Sequence, residues 1–347
     1  MVNDIAASEG GALSVLKDFY KEIEEIDNNI EWIFLLGDNY LKKTSKIKIF
    51  TYPEIKKSWM KRLKFELFDG STLINNLKPD IYISLQNTAT LGIKHAKQFV
   101  YFHQVIPYQD ILHFKFYKKD EVKLWIYKNI GKLVYSFLFR KSEAYIIVQS
   151  NWLKSRMSLS LNNKIIVAKP RIDEIIKKQP IIGKSINFFY PTSDFKYKNL
   201  KVITEAIEIL EKQNINNFKV ILTLDNNSQN KFNSKIDLVG KITRQEVYDY
   251  LSKSILIFPS LLESFGLPLL EASQLGTLIF SADLEYARET LQNYSNVKFF
   301  PPEDAVFLAK LMKDAITGKI VSKECKKVEL KKTSKKIIEL ILEEYHA

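Results

Sequence analysis

At 347 residues the chain exceeds what one hydrophobic core usually organises, so two domains are expected, each with a sizeable core. With 46% hydrophobic residues and no low-complexity stretch it falls outside the disordered class, and no apolar run approaches the roughly 18 to 20 residues that span a bilayer. The net charge of +12 is unevenly placed: residues 1–40 hold two basic and nine acidic side chains, residues 41–170 twenty-four and eight. A basic N-terminal half fits nucleic acid, anionic lipid, a phosphorylated ligand or plain solvated lysines.

The start, "MVNDIAASEGG", lacks the basic and apolar parts of a signal peptide, and Val2 to Ile5 read as a short first strand. A helix over 11–23 follows, with Leu13, Leu16, Phe19 and Tyr20 at helical spacing. Strand patterns then recur at "DIYISLQN" (80–87), "QFVYFHQ" (98–104), "AYIIVQS" (144–150) and "KIIVAKP" (164–170), alternating with helical ones. Such alternation predicts a parallel sheet with crossover helices. Within it, "KDEVKLWIYKNIGKLVYSFLFRK" (119–141) reads as one amphipathic helix. Trp125, Tyr127, Ile130, Val134, Phe137 and Leu138 lie broadly to one side, with Lys123, Lys128, Lys132 and Arg140 around the other. It is either an interfacial helix for an anionic membrane or a core helix with solvated lysines.

The alternation pauses at "KPRIDEIIKKQPIIGK" (169–184), whose Pro170, Pro180 and Gly183 mark a linker over 176–184. It restarts with "SINFFYP" (185–191), "FKVILTLD" (218–225), "IDLVGK" (236–241), "SILIFPS" (254–260) and "TLIFSAD" (277–283). The expected fold class is therefore α/β, with Rossmann-like domains over 1–175 and 185–328 and a C-terminal helix over 329–347 packing back towards the first. In open α/β sheets ligands bind beyond the carboxyl ends of the strands, which points to an interdomain cleft.

The stretch "ESFGLPLLEASQLG" (263–276) follows a buried strand. Pro268 suits the first turn of a helix ending near Gly276, which leaves Glu263 in the loop and Glu271 about one turn in. Gly266 lets a ligand approach the backbone, and the N–H groups around Phe265 to Leu267 sit where a helix start attracts an anion such as a diphosphate. The two oxygens of Glu271 suit the vicinal hydroxyls of a ribose. Spacing alone equally allows a favourable acid in a first helical turn and an ordinary loop carboxylate.

"ESFGLPLLEA" resembles the double-glutamate motif of retaining glycosyltransferases with the GT-B fold, of the family 4 or group 1 type, which includes many polysaccharide-assembly enzymes. The whole stretch 238–291 is similar to that family's donor-binding half, motif for motif. "KNL" (198–200) sits where the family has a basic diphosphate contact, "SEGGALSVL" (8–16) resembles its glycine-rich loop and first helix, and "YFHQ" (101–104) its strand-end histidine. One departure is Ser193, where the family often has an arginine five positions before the lysine.

The resemblance implies two Rossmann-like domains facing each other across a cleft and a metal-independent, retaining sugar transfer. The donor is a UDP-, GDP- or dTDP-linked sugar, and the acceptor a glycan or lipid-linked oligosaccharide of capsule or O-antigen type. Glu271 would bind the donor ribose, Glu263 the transferred sugar, and Lys198 with the backbone of Phe265, Gly266 and Leu267 the diphosphate. Gly10 and Gly11 would approach the phosphates, Val239, Gly240 and Ile242 the base, and His103 the reacting sugar. A histidine after an apolar strand is otherwise commonly a hydrogen-bonded structural residue. Asn87 and Thr88 share its strand edge and are candidate acceptor-side residues.

Breaking a sugar–diphosphate bond builds negative charge on the leaving oxygens, which cations and preorganised N–H groups stabilise without a metal. The chain has no Asp-x-Asp dyad, and its four histidines show no zinc-like spacing with the single Cys325. No metal and no cofactor are expected, and the setting is cytoplasmic, with peripheral contact to the inner membrane face through 119–141. No zinc finger or aromatic RNA-binding signature supports a nucleic-acid partner. An inactive, glycosyltransferase-like binding subunit is the alternative, and donor hydrolysis separates the two.

Overall fold

Seven strands rich in Val, Ile, Phe and Tyr build the N-terminal sheet of the computed structural model, which describes all residues except 8–9, 27–28, 120, 173–185, 226–231 and 323–334. They are β1 (Val2–Asp4), β2 (Trp32–Leu36), β3 (Ile47–Thr51), β4 (Ile81–Ser84), β5 (Lys97–Phe102), β6 (Tyr145–Val148) and β7 (Ile165–Val167). All pair in parallel, in the order β3-β2-β1-β4-β5-β6-β7. One face buries Leu16, Phe19 and Ile23 of helix Gly10–Glu24 together with Ile338 and Ile341 of the C-terminal helix Ile337–His346. The other buries Met1, Ile5, Phe65, Ile74 and Tyr82.

Six further strands form the second sheet: β8 (Ile186–Tyr190), β9 (Phe218–Leu222), β10 (Ile236–Leu238), β11 (Ile255–Phe258), β12 (Ile279–Ala282) and β13 (Val297–Phe300). They too are parallel, in the order β10-β9-β8-β11-β12-β13. Helix Leu200–Lys212 buries Val202, Ile203, Ala206, Ile207 and Leu210, the apolar stripe its 3.6-residue period dictates. The chain divides into two compact units, residues 1–169 with the C-terminal helix, and residues 170–332. The expected linker over 176–184 and Cys325 lie outside the described residues.

In each sheet the first strand lies centrally and the strand order reverses beside it, at β1/β4 and at β8/β11. These are the switch points where open α/β sheets bind ligands. Strands β2, β3 and β13 add to those read from the sequence. In β3, "IKIFT" buries Ile47 and Ile49 and exposes Lys48 and Phe50, the half-buried alternation of an edge strand.

The segment read as one helix over 119–141 is helical in three consecutive pieces: Val122–Ile126, a π-helical turn Tyr127–Gly131, and Lys132–Ser142. The extra residue of a π turn rotates everything beyond it. Leu138 and Phe139 are therefore buried, while Ile126, Tyr127, Ile130, Leu133 and Phe137 form an exposed apolar stripe. Lys128 does not point freely to solvent either, because its ammonium donates to the Leu112 carbonyl at 2.6 Å.

Candidate active site

In the C-terminal unit two strand-end loops at the β8/β11 switch point are stitched together. After β8 a single 3₁₀ turn, Lys196–Lys198, leads to Asn199, whose left-handed backbone (φ 53°) starts the next helix. The Asn199 side-chain amide donates to the carbonyls of Pro302 (2.7 Å) and Pro259 (3.3 Å), and the N–H of Leu261 donates to the Tyr197 carbonyl at 2.7 Å. This clamp holds Lys198 with its Nζ 2.6 Å from Glu263 Oε1, both side chains largely buried. Lys198 also lies 5.5 Å from the Tyr197 ring centroid.

Gly266 then turns the chain with φ 88°, a conformation strained for any L side chain, and an added Cβ would lie 3.2 Å from Leu269 Cδ1. Directly after it comes helix Leu267–Leu275, with Pro268 in its first turn. The first N–H groups of a helix have no acceptor within it, so Leu267 opens an anion-attracting end, and Leu267 itself is exposed. The Phe265 carbonyl accepts from Thr290 Oγ1, and the Ser260 carbonyl from the Tyr286 hydroxyl at 2.5 Å. The loop is thus pinned at both ends.

Glu271, the fifth residue of that helix, is only 7% exposed. Burial raises its pKa, and the guanidinium of Arg244 opposes the rise. Arg244 Nε donates to Oε1 at 3.2 Å, and the Tyr248 hydroxyl reaches the same oxygen at 3.4 Å. Arg244 is delivered by the helix Arg244–Lys253, which Thr243 and Glu246 close with a capping box. Nothing in the local sequence marks Arg244 or Tyr248 as partners of Glu271. They stand 27 and 23 residues from Glu271, so no local pattern links them. Val239 and Gly240 continue β10, donating to the Leu222 and Leu224 carbonyls, and Gly240 has φ 69° with open space where a side chain would be. Ile242 follows after Lys241, immediately before the Thr243 cap.

The N-terminal unit presents its own constellation at the ends of β1, β4 and β5. Asn87, left-handed at φ 68°, accepts the backbone N–H groups of His103 (2.7 Å) and Gln104 (3.1 Å) on Oδ1. That fixes its amide, so Nδ2 is the atom 3.1 Å from His103 Nε2. Nε2 therefore accepts, and the ring proton sits on Nδ1, a buried atom without a partner among the described residues. Burial pulls the imidazole down to about 4, so it is neutral at physiological pH. Thr88 turns inward and donates to Glu66 at 2.8 Å, so its hydroxyl is committed inside the unit. Gly10 and Gly11 open the helix Gly10–Glu24 just beyond β1; Ser8 and Glu9 of the same motif lie outside the described residues.

Residues 171–332 match the family model described as glycosyl transferases group 1. This stretch is a group 1 glycosyl transferase domain. No curated protein matches the chain. Among solved structures, sucrose-phosphate synthase from Thermosynechococcus elongatus superposes with a TM-score of 0.66 at 12% identity, over 91% of this chain and 89% of that one. WaaG, a glycosyltransferase involved in lipopolysaccharide biosynthesis, gives 0.64 at 12% identity over 91% and 90%. TarM gives 0.58 at 13% identity over 80% of this chain and only 57% of its own length, and a mutant of TarM from S. aureus was crystallised with fondaparinux, α-GlcNAc-glycerol and UDP. At these identities the superpositions speak for the fold, and that fold is GT-B. The group 1 domain coincides with the unit that carries Lys198, Glu263, Gly266 and Glu271.

Proposed function

We propose that the chain is a retaining, metal-independent glycosyltransferase that moves a sugar from a nucleoside-diphosphate donor to a glycan or lipid-linked acceptor in the assembly of a bacterial surface polysaccharide. The observation that carries this reading is the Lys198–Glu263 pair, set beside the Gly266 turn and helix start at the β8/β11 switch point. A cation, a helix N-terminus and a carboxylate meet where a diphosphate and its sugar would lie. Glu271 is assigned to the ribose, with Oε1 already engaged by Arg244 and Oε2 left for hydroxyls. Val239, Gly240 and Ile242 are assigned to the base.

In the reaction the bond from the anomeric carbon to the phosphate oxygen breaks and an acceptor oxygen bonds the same carbon. The acceptor proton passes to the departing phosphate, so no side-chain base is required. His103, held neutral at pH 7 by its burial, is assigned beside the reacting sugar. Gly10 and Gly11 are assigned to the phosphates, and Asn87 serves the acceptor side by fixing His103. A saccharide acceptor is supported by analogy of fold with WaaG, which is involved in lipopolysaccharide biosynthesis, and with the TarM mutant crystallised with fondaparinux, α-GlcNAc-glycerol and UDP.

The enzyme is assigned to the cytoplasm, at an anionic membrane surface. Among the described residues no helix is long and apolar enough to cross a membrane. The stripe Ile126, Tyr127, Ile130, Leu133 and Phe137, flanked by exposed Lys123 and Lys132, suits shallow insertion instead.

The deciding experiment is a thermal-shift screen against UDP-, GDP- and dTDP-sugars, followed by the anomeric configuration of the product from the donor that binds. A donor at about 100 times its Kd stabilises by about 2.7 kcal/mol, a readily measured shift. No stabilisation by any of them, or an inverted product, sinks the reading. Turnover should survive EDTA, and a loss that Mg²⁺ restores removes metal independence.

A further inference from the structure

Glu66 is 1% exposed and lies far in sequence from every residue assigned above, on a π-helical turn, Phe65–Asp69, between helices Trp59–Lys64 and Gly70–Leu77. Its carboxylate collects the loop that follows β4. Gln86 Nε2 and Thr88 Oγ1 donate to Oε1, and Thr90 Oγ1 donates to Oε2. The Glu66 carbonyl also accepts the N–H of Leu91 at 2.8 Å.

The donors form a line with one direction. Asn3 Nδ2 donates to the Tyr82 hydroxyl at 2.7 Å, and because Asn3 Oδ1 is taken by the N–H of Ile5, that amide cannot turn round. The Tyr82 hydroxyl, holding this donor, pairs with Thr90 Oγ1 at 2.9 Å, and Thr90 ends the line on Glu66. Gln86, anchored by its Nε2 on Glu66, accepts the N–H of Ala6 on Oε1 at 3.0 Å. One carboxylate thereby holds the loops after β1 and β4, and between its contacts at Gln86 and Thr88 stands Asn87, which fixes the His103 ring and backbone.

We propose that Glu66 is a positioning residue for the sugar-facing site of the N-terminal unit, setting the tautomer and orientation of His103 through the 86–90 loop and Asn87. The proposal rests on the reading of His103 as a site residue, but its physical content is a link between two side chains that exists without any substrate. A merely structural buried acid would hold the loop without dictating which His103 nitrogen carries the proton. Here the amide orientation of Asn87, and through it the imidazole proton, depends on the backbone turn that Glu66 clamps from both sides.

The test is ¹⁵N-histidine NMR on the full chain at neutral pH, where only four histidines contribute and loss of one set in His103→Gln assigns His103. The wild type should show Nδ1 protonated and Nε2 as acceptor. In Glu66→Gln, and independently in Thr90→Val, the His103 signals should move towards a tautomer mixture, and Thr90→Ser, which keeps the hydroxyl, should restore the wild-type pattern. Unchanged His103 signals in the folded Glu66→Gln protein overturn the proposal; if that variant does not fold, unchanged signals in Thr90→Val do so. A negative nucleotide-sugar screen with shifted His103 signals would leave this link standing and remove the functional reading instead.

Discussion

The ammonium of Lys198 lies 2.6 Å from the carboxylate of Glu263, joining the loop after β8 to the loop after β11. Neither side chain is more than one fifth exposed, so the pair works in a partly dry environment where each charge depends on the other. Replacing Lys198 by Met should leave Glu263 without its cation. We expect a stability loss of about 1–3 kcal/mol, discounted for partial exposure, together with loss of thermal stabilisation by the nucleotide-sugar donor. Urea denaturation and the thermal-shift screen measure the two effects, and unchanged donor stabilisation would separate Lys198 from the diphosphate.

The two glutamates should differ kinetically. Contacts to a ribose, remote from the breaking bond, are similar in the ground and transition states, so Glu271→Gln should chiefly raise the donor KM. Contacts to the transferred sugar orient it and meet developing charge, so Glu263→Gln should chiefly lower kcat, by ~10²-fold or more. Steady-state kinetics on the folded variants decides, and a wild-type kcat in Glu263→Gln removes the case for a catalytic loop.

Gly266→Ala tests the turn alone. A side chain at φ 88° is strained, and its Cβ would press on Leu269 at 3.2 Å. We expect a loss of about 1–2 kcal/mol in stability and weaker donor binding, because the helix start moves with the turn. An equally stable alanine variant would mean that the loop relaxes freely.

Burial holds the His103 imidazole near 4, well below the ordinary histidine value of 6.5. Its neutral form therefore contributes stability that is fully present above pH 6.5 and is lost as pH falls from 6.5 through 4. The difference in stability between wild type and His103→Gln should shrink across that window and stay level from pH 7 to 8. An imidazole seen to titrate near 6.5 by NMR contradicts its burial.

Most strands of the two sheets, though not β2, β3 and β13, were legible because short apolar runs such as those in "DIYISLQN" and "SILIFPS" are what a doubly covered parallel strand requires. The turn at Gly266 and the start of its helix were legible for the same local reason: Gly and Pro state their backbone needs in the sequence. The Arg244 contact to Glu271 and the Glu66 contacts to the 86–90 loop were not, since they join residues 20 or more positions apart. A faint signal existed at Glu66, an acid between Phe65 and Leu67 in "KFELFDG", yet burial of one charge is settled only when the neighbouring elements close over it. The helix over 119–141 was read with a uniform pitch, and the π turn at Tyr127–Gly131 redistributed its faces.

Both π turns of the N-terminal unit make residue count, as well as residue identity, a determinant of what faces where. The turn Phe65–Asp69 closes against Gly70, where an added Cβ would stand 2.7 Å from the Phe65 carbonyl oxygen and from its ring. Deleting one residue from this turn would restore the regular α pitch and swing the two flanking helices by about 100° relative to each other. Either Glu66 would leave its loop or Ile74 would leave the core cluster it shares with Tyr82. Chains of this architecture that differ by a single residue in length here should therefore be compared by the side chains they bury, because an alignment that closes the gap elsewhere would pair a clamp with a surface residue.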